Sequence, residues 1–517
     1  MNFVIILTLL IKQILWLAFI PIWQFPDEQA HFAQVQNIAE NQSSASNQKL
    51  STSREIFESE KLFGTNRDGF GNNKYTYHSD YNIQYSETTT GKEELKIKEF
   101  PNIYRKELTI RESTGYPPLY YEFSAWFYKF VYNSDLISRI FVTRLFNLFL
   151  FFIFYFIISK ISNLLFNNNI LLKSTYIIIL IFNPMLSFLF SGINSDNLYN
   201  VISVWVVYLG LKLLKKGLSI TTFIQICLSI LLAMYTKPQG FCLSLFYIYP
   251  LIYLFFNKNK LSLKCFISLL VIGIIAFGGI IRNILLGRQI LPDLPPIEII
   301  QKLSLPGFLI YLKSIIVHTY REIIPWYWGV YRWLSLTYPR IIHRILNWIT
   351  VFSILGLIGH IYQKIKLKEK KEFLVLGYLI YISMMYFAVL AVFDYIFNIS
   401  HGFSFGIQGR YFFPTIAAHM GILLIGIFQI IPKIIQNIVI KILGLGFISF
   451  HLYAQNMVLF SYFDTSSFYK FFIQASQYKP VYFKYPWLLI LTITFFLSLI
   501  IFIWYYLHIK ANKYEKN

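Results

Sequence analysis

Seven residues, Phe25-Pro-Asp-Glu-Gln-Ala-His31, set two carboxylates and an imidazole directly behind the first apolar run of the chain. A proline there ends a membrane helix and leaves Asp27 and Glu28 at the bilayer edge. Low dielectric at that depth raises a carboxyl pKa toward the range of a general base. On a short helix Asp27 and His31 would be i,i+4 neighbours. A plainer role fits as well, in which Asp27 only caps a helix at the start of a solvated loop. Asp27, Glu28 and His31 could also serve as metal donors. Their spacing gives no definite ligand set, so a divalent cation as cofactor stays open.

Four further segments carry residues of the same kind. Ser191-Gly-Ile-Asn-Ser-Asp-Asn197 puts Asp196 in a tight turn between two apolar runs, although that composition also suits an ordinary connector. Gln408-Gly-Arg-Tyr411 offers Arg410, which can grip a phosphate through two parallel N–H groups, with Gly409 letting the ligand come close. Arg and Tyr at such a depth also serve as interfacial anchors, but an Arg at an external helix end runs against the usual charge bias and favours a functional role. Lys237, in Thr236-Lys-Pro-Gln-Gly240, could neutralise a phosphate or simply snorkel. Glu322 lies in the aromatic run Tyr320-Arg-Glu-Ile-Ile-Pro-Trp-Tyr-Trp-Gly329, whose rings suit an interfacial belt or a sugar platform. Ionisable groups near membrane depth are costly and mark function by default. The expected catalytic set is Asp27, Glu28 and Asp196, with His31, Lys237, Glu322, Gln408, Arg410 and Tyr411 binding substrate.

The elements that must hold these residues are membrane helices. The chain has 517 residues, 56% hydrophobic and only 14% charged. A soluble domain carries about 25% charged residues, and a disordered one lacks the apolar surface present here. An all-α polytopic membrane protein remains. Runs of about 20 apolar residues give twelve expected spans: 3–23, 139–160, 171–190, 198–215, 220–236, 241–256, 263–285, 341–362, 373–394, 411–431, 437–457 and 486–508. Residues 119–133 are too short to cross and read as an interfacial helix. With that choice, 18 lysines fall on one face, among them Lys160, Lys173, Lys212, Lys258, Lys433 and Lys441. Lysine-rich short loops stay cytoplasmic, so both termini are expected inside. The formal charge of +21 then reflects topology and not a nucleic-acid partner.

This orientation makes 24–138 a large external loop holding 16 of the 25 acidic residues. It leaves 286–340 as an external aromatic-rich loop, 139–285 and 341–508 as the two membrane blocks, and 509–517 as a cytoplasmic tail. Cys227, Cys242 and Cys265 lie in apolar stretches without CxxC spacing and read as core residues.

Taken in order, Pro26-Asp27-Glu28-x-x-His31, Tyr116-Pro-Pro-Leu-Tyr-Tyr121, Asn183-Pro-Met followed by Ser191–Asn197, Thr236–Gly240 and Gln408-Gly-Arg-Tyr-Phe-Phe-Pro414 resemble a family of prokaryotic membrane proteins of unknown function. That family is placed among the GT-C glycosyltransferases. The resemblance implies a GT-C-like plan and a polyprenyl-phosphate-linked sugar as donor. It implies inverting transfer to a glycan, lipid or protein acceptor outside the cytoplasm. Asp27 or Glu28 would be the first-loop acid and Asp196 a second acid near the site. Two other readings share the membrane setting: a polymerase or ligase of lipid-linked glycans, and a flippase or transporter of lipid-linked sugars. A flippase should show interrupted helices or charges along a path through the bilayer.

Overall fold

The computed structural model describes residues 2–41, 52–66, 83–109, 116–167, 169–256, 263–285, 303–367, 370–463 and 467–509. Among these, eight helices are long and apolar enough to cross a membrane: Leu136–Phe166, Asp196–Lys216, Pro238–Phe256, Arg340–Lys366, Phe373–His401, Gly409–Ile430, Gln436–Tyr462 and Trp487–Leu507. Four shorter apolar helices, Val4–Phe19, Ile170–Ile181, Ile220–Met234 and Lys264–Gly278, stand where the other four spans were expected. The chain is an all-α polytopic membrane protein.

Local chemistry explains the short pieces. The Ile170–Ile181 helix has 12 residues and rises about 18 Å, short of the roughly 30 Å hydrocarbon core. It stops because Pro184 cannot donate to the ladder. Asn183 then caps a second helix, Pro184–Leu189, by accepting from Leu186 N at 2.9 Å. The break frees the Ile181 carbonyl inside the bundle. Lys12, fully buried on the first helix, donates to that carbonyl and to Ser187 Oγ (2.8 Å). Its N–H donors fill a carbonyl left without an intrahelical partner, so Lys12 acts as a cross-helix cap.

Small residues set the tightest helix crossing. A Cβ on Gly356 would meet Gly426 O at 1.9 Å, so the Arg340–Lys366 and Gly409–Ile430 helices touch backbone to backbone there. Ser353 Oγ adds a bond to Leu423 O at 3.0 Å. Close approach through small residues is how membrane helices associate without a hydrophobic driving force.

The first large loop is folded where it is described. Thr52–Ser53 pairs antiparallel with Leu108–Thr109, and helices run over Arg54–Phe63 and Glu94–Lys98. Two ion pairs pin it to the bundle. Arg139 forks Glu55 at 2.7 and 2.8 Å, and Lys484 meets Glu94 at 2.8 Å. A helix runs over Leu119–Phe130, where an interfacial one was expected; it buries Tyr120, Tyr121 and Tyr128 and leaves Trp126 and Phe130 exposed. Its 12 residues cannot span a bilayer.

Within the segment 286–340, expected as an external loop, the chain is helical from Leu305 to His318, continues through a π turn at Thr319–Ile323 and ends in Ile324–Trp328. Lys313, Arg321, Glu322 and Pro325 interrupt the apolar run in sequence without ending the helix in space. Residues 286–302 lie outside the described part.

Candidate functional site

The site begins where the first helix ends. Arg144, wholly buried on the Leu136–Phe166 helix, donates from Nη1 to the carbonyls of Leu17 (3.1 Å) and Ile20 (3.0 Å) and from Nη2 to Pro21 O (3.1 Å). Its remaining N–H groups fork Glu28, Nε to Oε1 at 2.7 Å and Nη2 to Oε2 at 2.6 Å. Glu28 also accepts from Trp23 N at 3.1 Å and Ile193 N at 3.4 Å. Neither partner is exposed to solvent. All five donors of the guanidinium are therefore used, and Glu28 is a tether between the first helix, its following turn and the Ser191–Asn197 turn.

Asp27 faces the other way. It stands just before the Glu28–Asn41 helix with φ of +55°, a left-handed conformation that Asp tolerates better than most residues. Its backbone carbonyl accepts from Ala30 N and His31 N, both at 3.1 Å. Its side chain is 38% exposed and lies 3.4 Å from Arg410 Nη2. Arg410 itself is nearly buried, and its Nε and Nη1 have no hydrogen-bond partner among the described residues. The Tyr411 ring lies 5.4 Å from the guanidinium. The neighbouring Gln408 places an equally unpartnered buried Oε1 in this segment.

A second ion pair adjoins the first. Lys237 bonds Asp196, and its ammonium sits 4.9 Å from the Tyr116 ring centre. Tyr116 in turn stacks on His31 (6.0 Å, 29°), whose Nδ1 meets Tyr121 Oη at 2.8 Å. Burial pulls the His31 pKa down to about 4; Asp27 and Asp196 act upward on it, Lys237 and Arg410 downward. Those four groups therefore all lie within electrostatic reach of one imidazole. Burial also opposes the charge on Lys237, but Asp196 together with Tyr116 and Tyr411 outweighs it, and the Lys237 pKa ends above the usual lysine value.

The Asp196 turn is fixed by amides and by a glycine. Asn194 Oδ1 accepts from Asp196 N at 2.8 Å, and its Nδ2 donates to Pro26 O at 3.2 Å. Asn197 Nδ2 ties the turn to Asn147, Leu189 and Gly192 at 2.9 to 3.0 Å. A Cβ on Gly192 would strike the Phe25 ring at 2.3 Å, so the two acid-bearing segments pack flat against each other.

The structure thus brings together Asp27, His31, Asp196, Lys237, Arg410 and Tyr411, with Gln408 in the same segment. It separates Glu28, which Arg144 holds. Glu322 is half-exposed and lies 3.4 Å from His318 Nδ1, on a segment whose Ile323 and Tyr327 backbone packs against Gly409. Asp27, Glu28 and His31 do not form a metal centre: no group of three or more His, Cys, Asp or Glu among the described residues could hold an ion. Sequence reasoning missed Tyr116 and Tyr121 as the stack beneath His31. It also missed Asp394, which accepts from Tyr311 Oη and Phe405 N, both at 2.7 Å, and so anchors the loop leading to Arg410. The signal was available in Asp394 itself, an acid within an apolar run.

No curated protein and no solved structure matches the chain. A family model described as a predicted membrane protein, DUF2142, matches residues 10–418, a stretch that contains every residue gathered at the site. Over most of its length, from the first helix through the Arg410 segment, the chain belongs to the DUF2142 family of membrane proteins.

Proposed function

We propose that the protein is an integral-membrane glycosyltransferase of GT-C type. It transfers a sugar from a polyprenyl-phosphate donor to a glycan, lipid or protein acceptor on the external face of a prokaryotic plasma membrane. The proposed topology has twelve crossings, with both termini in the cytoplasm. One observation carries the reading: a solvent-reachable carboxylate, Asp27, stands against a buried guanidinium with unfilled donors, Arg410, and a second acid–base pair adjoins them.

The chemistry follows from that pairing. The donor phosphate lies at the membrane interface and takes the free N–H groups of Arg410. As the bond from the anomeric carbon to the phosphate oxygen breaks, negative charge grows on the phosphate, and a fixed cation stabilises it more in the transition state than before. Asp27 accepts the proton of the acceptor hydroxyl while that oxygen bonds to the anomeric carbon from the opposite side, which inverts the centre. Polyprenyl phosphate leaves. Lys237, held by Asp196, adds positive field beside it.

The experiment is turnover in lipid. Purified protein with polyprenyl-phosphate sugars and cell-surface acceptor should release free polyprenyl phosphate, and Asp27→Asn should lower the rate by about 100- to 10,000-fold. Equal release by both proteins removes Asp27 from the mechanism.

A flippase is the second reading, because the Asn183–Pro184 break and the buried Lys12 are features that transporters use. Here Lys12 is sealed, with its Nζ capping the freed carbonyl and lying 4.5 Å from the Phe151 ring centre. Movement of intact lipid-linked sugar across vesicles, without release of polyprenyl phosphate, would favour this reading.

A further inference from the structure

Away from the site, three helices enclose a groove of about 370 Å³, within the roughly 300–1,000 Å³ of ligand pockets. Its walls are apolar side chains of the Leu136–Phe166 and Asp196–Lys216 helices, chiefly Ile153, Ile157, Val201 and Ile202. Ile153 and Ile157 are only half-buried, so the groove opens at the bundle surface. A chain-like apolar ligand suits it better than a compact polar one.

The ends differ. At one end stand Leu198 and Leu232, close in sequence to Asp196 and Lys237. At the other stand Lys160 and Lys212, with Tyr208 and Gln225. The Lys160 ammonium lies 5.9 Å from the Tyr208 ring centre, and Lys212 Nζ donates to Gln225 Oε1 at 3.3 Å. Neither lysine meets a carboxylate among the described residues. Two cations that share a groove end without an acid call for an anion. The walls behind that end call for hydrocarbon attached to it.

Lys212 follows Asp196 by sixteen residues, about 24 Å along one helix. No single headgroup bridges that distance, so the lysine end is separate from the Asp27–Arg410 cluster. Basic pockets between membrane helices on the cytoplasmic side recognise anionic lipid headgroups.

We infer that this groove binds one anionic phospholipid, with an acyl chain along Ile153, Ile157 and Val201 and its phosphate between Lys160 and Lys212. Under the topology proposed above, that lipid comes from the inner leaflet. Binding does not depend on glycosyl transfer, so the inference stands or falls apart from turnover.

The test is lipid retention by native mass spectrometry. Purified protein is equilibrated in detergent with equal amounts of phosphatidylglycerol and phosphatidylcholine bearing the same acyl chains. Wild type should keep one phosphatidylglycerol in preference. Lys160→Gln with Lys212→Gln should weaken that preference about thirtyfold, the factor two lysines contribute near anionic lipid. Ile157→Trp, which fills the groove and leaves both lysines, should expel the lipid. Lys433→Gln with Lys441→Gln, also on the lysine-rich face, should change nothing. An unchanged preference in the Lys160/Lys212 variant overturns the inference, as does an equal loss in the Lys433/Lys441 control or retention by Ile157→Trp. Equal retention of both lipids by wild type overturns it too, leaving an apolar groove without headgroup recognition.

Discussion

Asp27 and Glu28 are neighbours in sequence and opposites in structure. Glu28 meets an arginine whose five donors are all used, in a pair with no solvent exposure. Asp27 meets an arginine at 3.4 Å that keeps Nε and Nη1 unfilled, and its own carboxylate is reachable. Each pair joins an acid of the first loop to an arginine of a distant helix. What separates them is saturation. A closed fork holds the fold, whereas an open one has capacity left for a ligand. Arg139–Glu55 repeats the closed arrangement further out, with Tyr128 Oη completing it.

The largest expected effect breaks the closed pair. Glu28→Gln leaves the Arg144 charge buried without its counter-ion, and breaking such a pair costs about 3–5 kcal/mol. Asp27→Asn removes a part-exposed contact worth about 0–1 kcal/mol. The unfolding midpoint in detergent should therefore fall steeply for Glu28→Gln and barely for Asp27→Asn, while donor turnover is lost in both. A stable, active Glu28→Gln protein would mean that saturation does not distinguish the two acids.

The open pair is sharpened by Arg410→Lys. The charge stays, but the planar fork and its spare donors go. Hydrogen bonds to charged groups are worth about 1.5–3 kcal/mol, so polyprenyl phosphate should bind roughly tenfold to a hundredfold more weakly by equilibrium binding. Stability should hold, because few of the Arg410 donors are engaged within the protein. Equal binding by the lysine variant would show that only the charge of Arg410 matters.

Much of this was legible in sequence. Twelve apolar runs mark where the apolar helices lie, and Asp27, Asp196, Lys237 and Arg410, scattered over 384 positions, read as one group before any geometry. Two things were hidden. The first is direction: Asp27, left-handed just before a helix, and Glu28, its first residue, leave the backbone in different directions, and nothing in the pair of letters says which turns inward. The second is tolerance of polar interruptions. The helix from Leu305 to Trp328 reads as a loop because Lys313, Arg321, Glu322 and Pro325 punctuate it, yet a π turn at Thr319–Ile323 absorbs the irregularity. Lys12 escaped notice for the converse reason, being one charge in an apolar run whose partner is a carbonyl freed by a proline.

His31 gives the smallest of the expected effects and tests whether the open cluster is dry beneath its mouth. Its pKa is lowered from 6.5 to about 4 by burial against the Tyr116 and Tyr121 rings. A folded-state value below the unfolded one favours the neutral ring. The stabilisation is present above about pH 6.5 and is lost as pH falls toward 4, by about 2 kcal/mol between pH 7 and 5. Thermal unfolding of wild type should weaken over that window more than that of His31→Gln, which has no proton to gain. Turnover should show no limb near pH 6.5, because the imidazole stays neutral there in the folded protein. A limb near 6.5 that disappears in His31→Gln would place water against the ring. The cluster would then be open to its floor, and the contrast with the sealed Glu28–Arg144 pair would be sharper still.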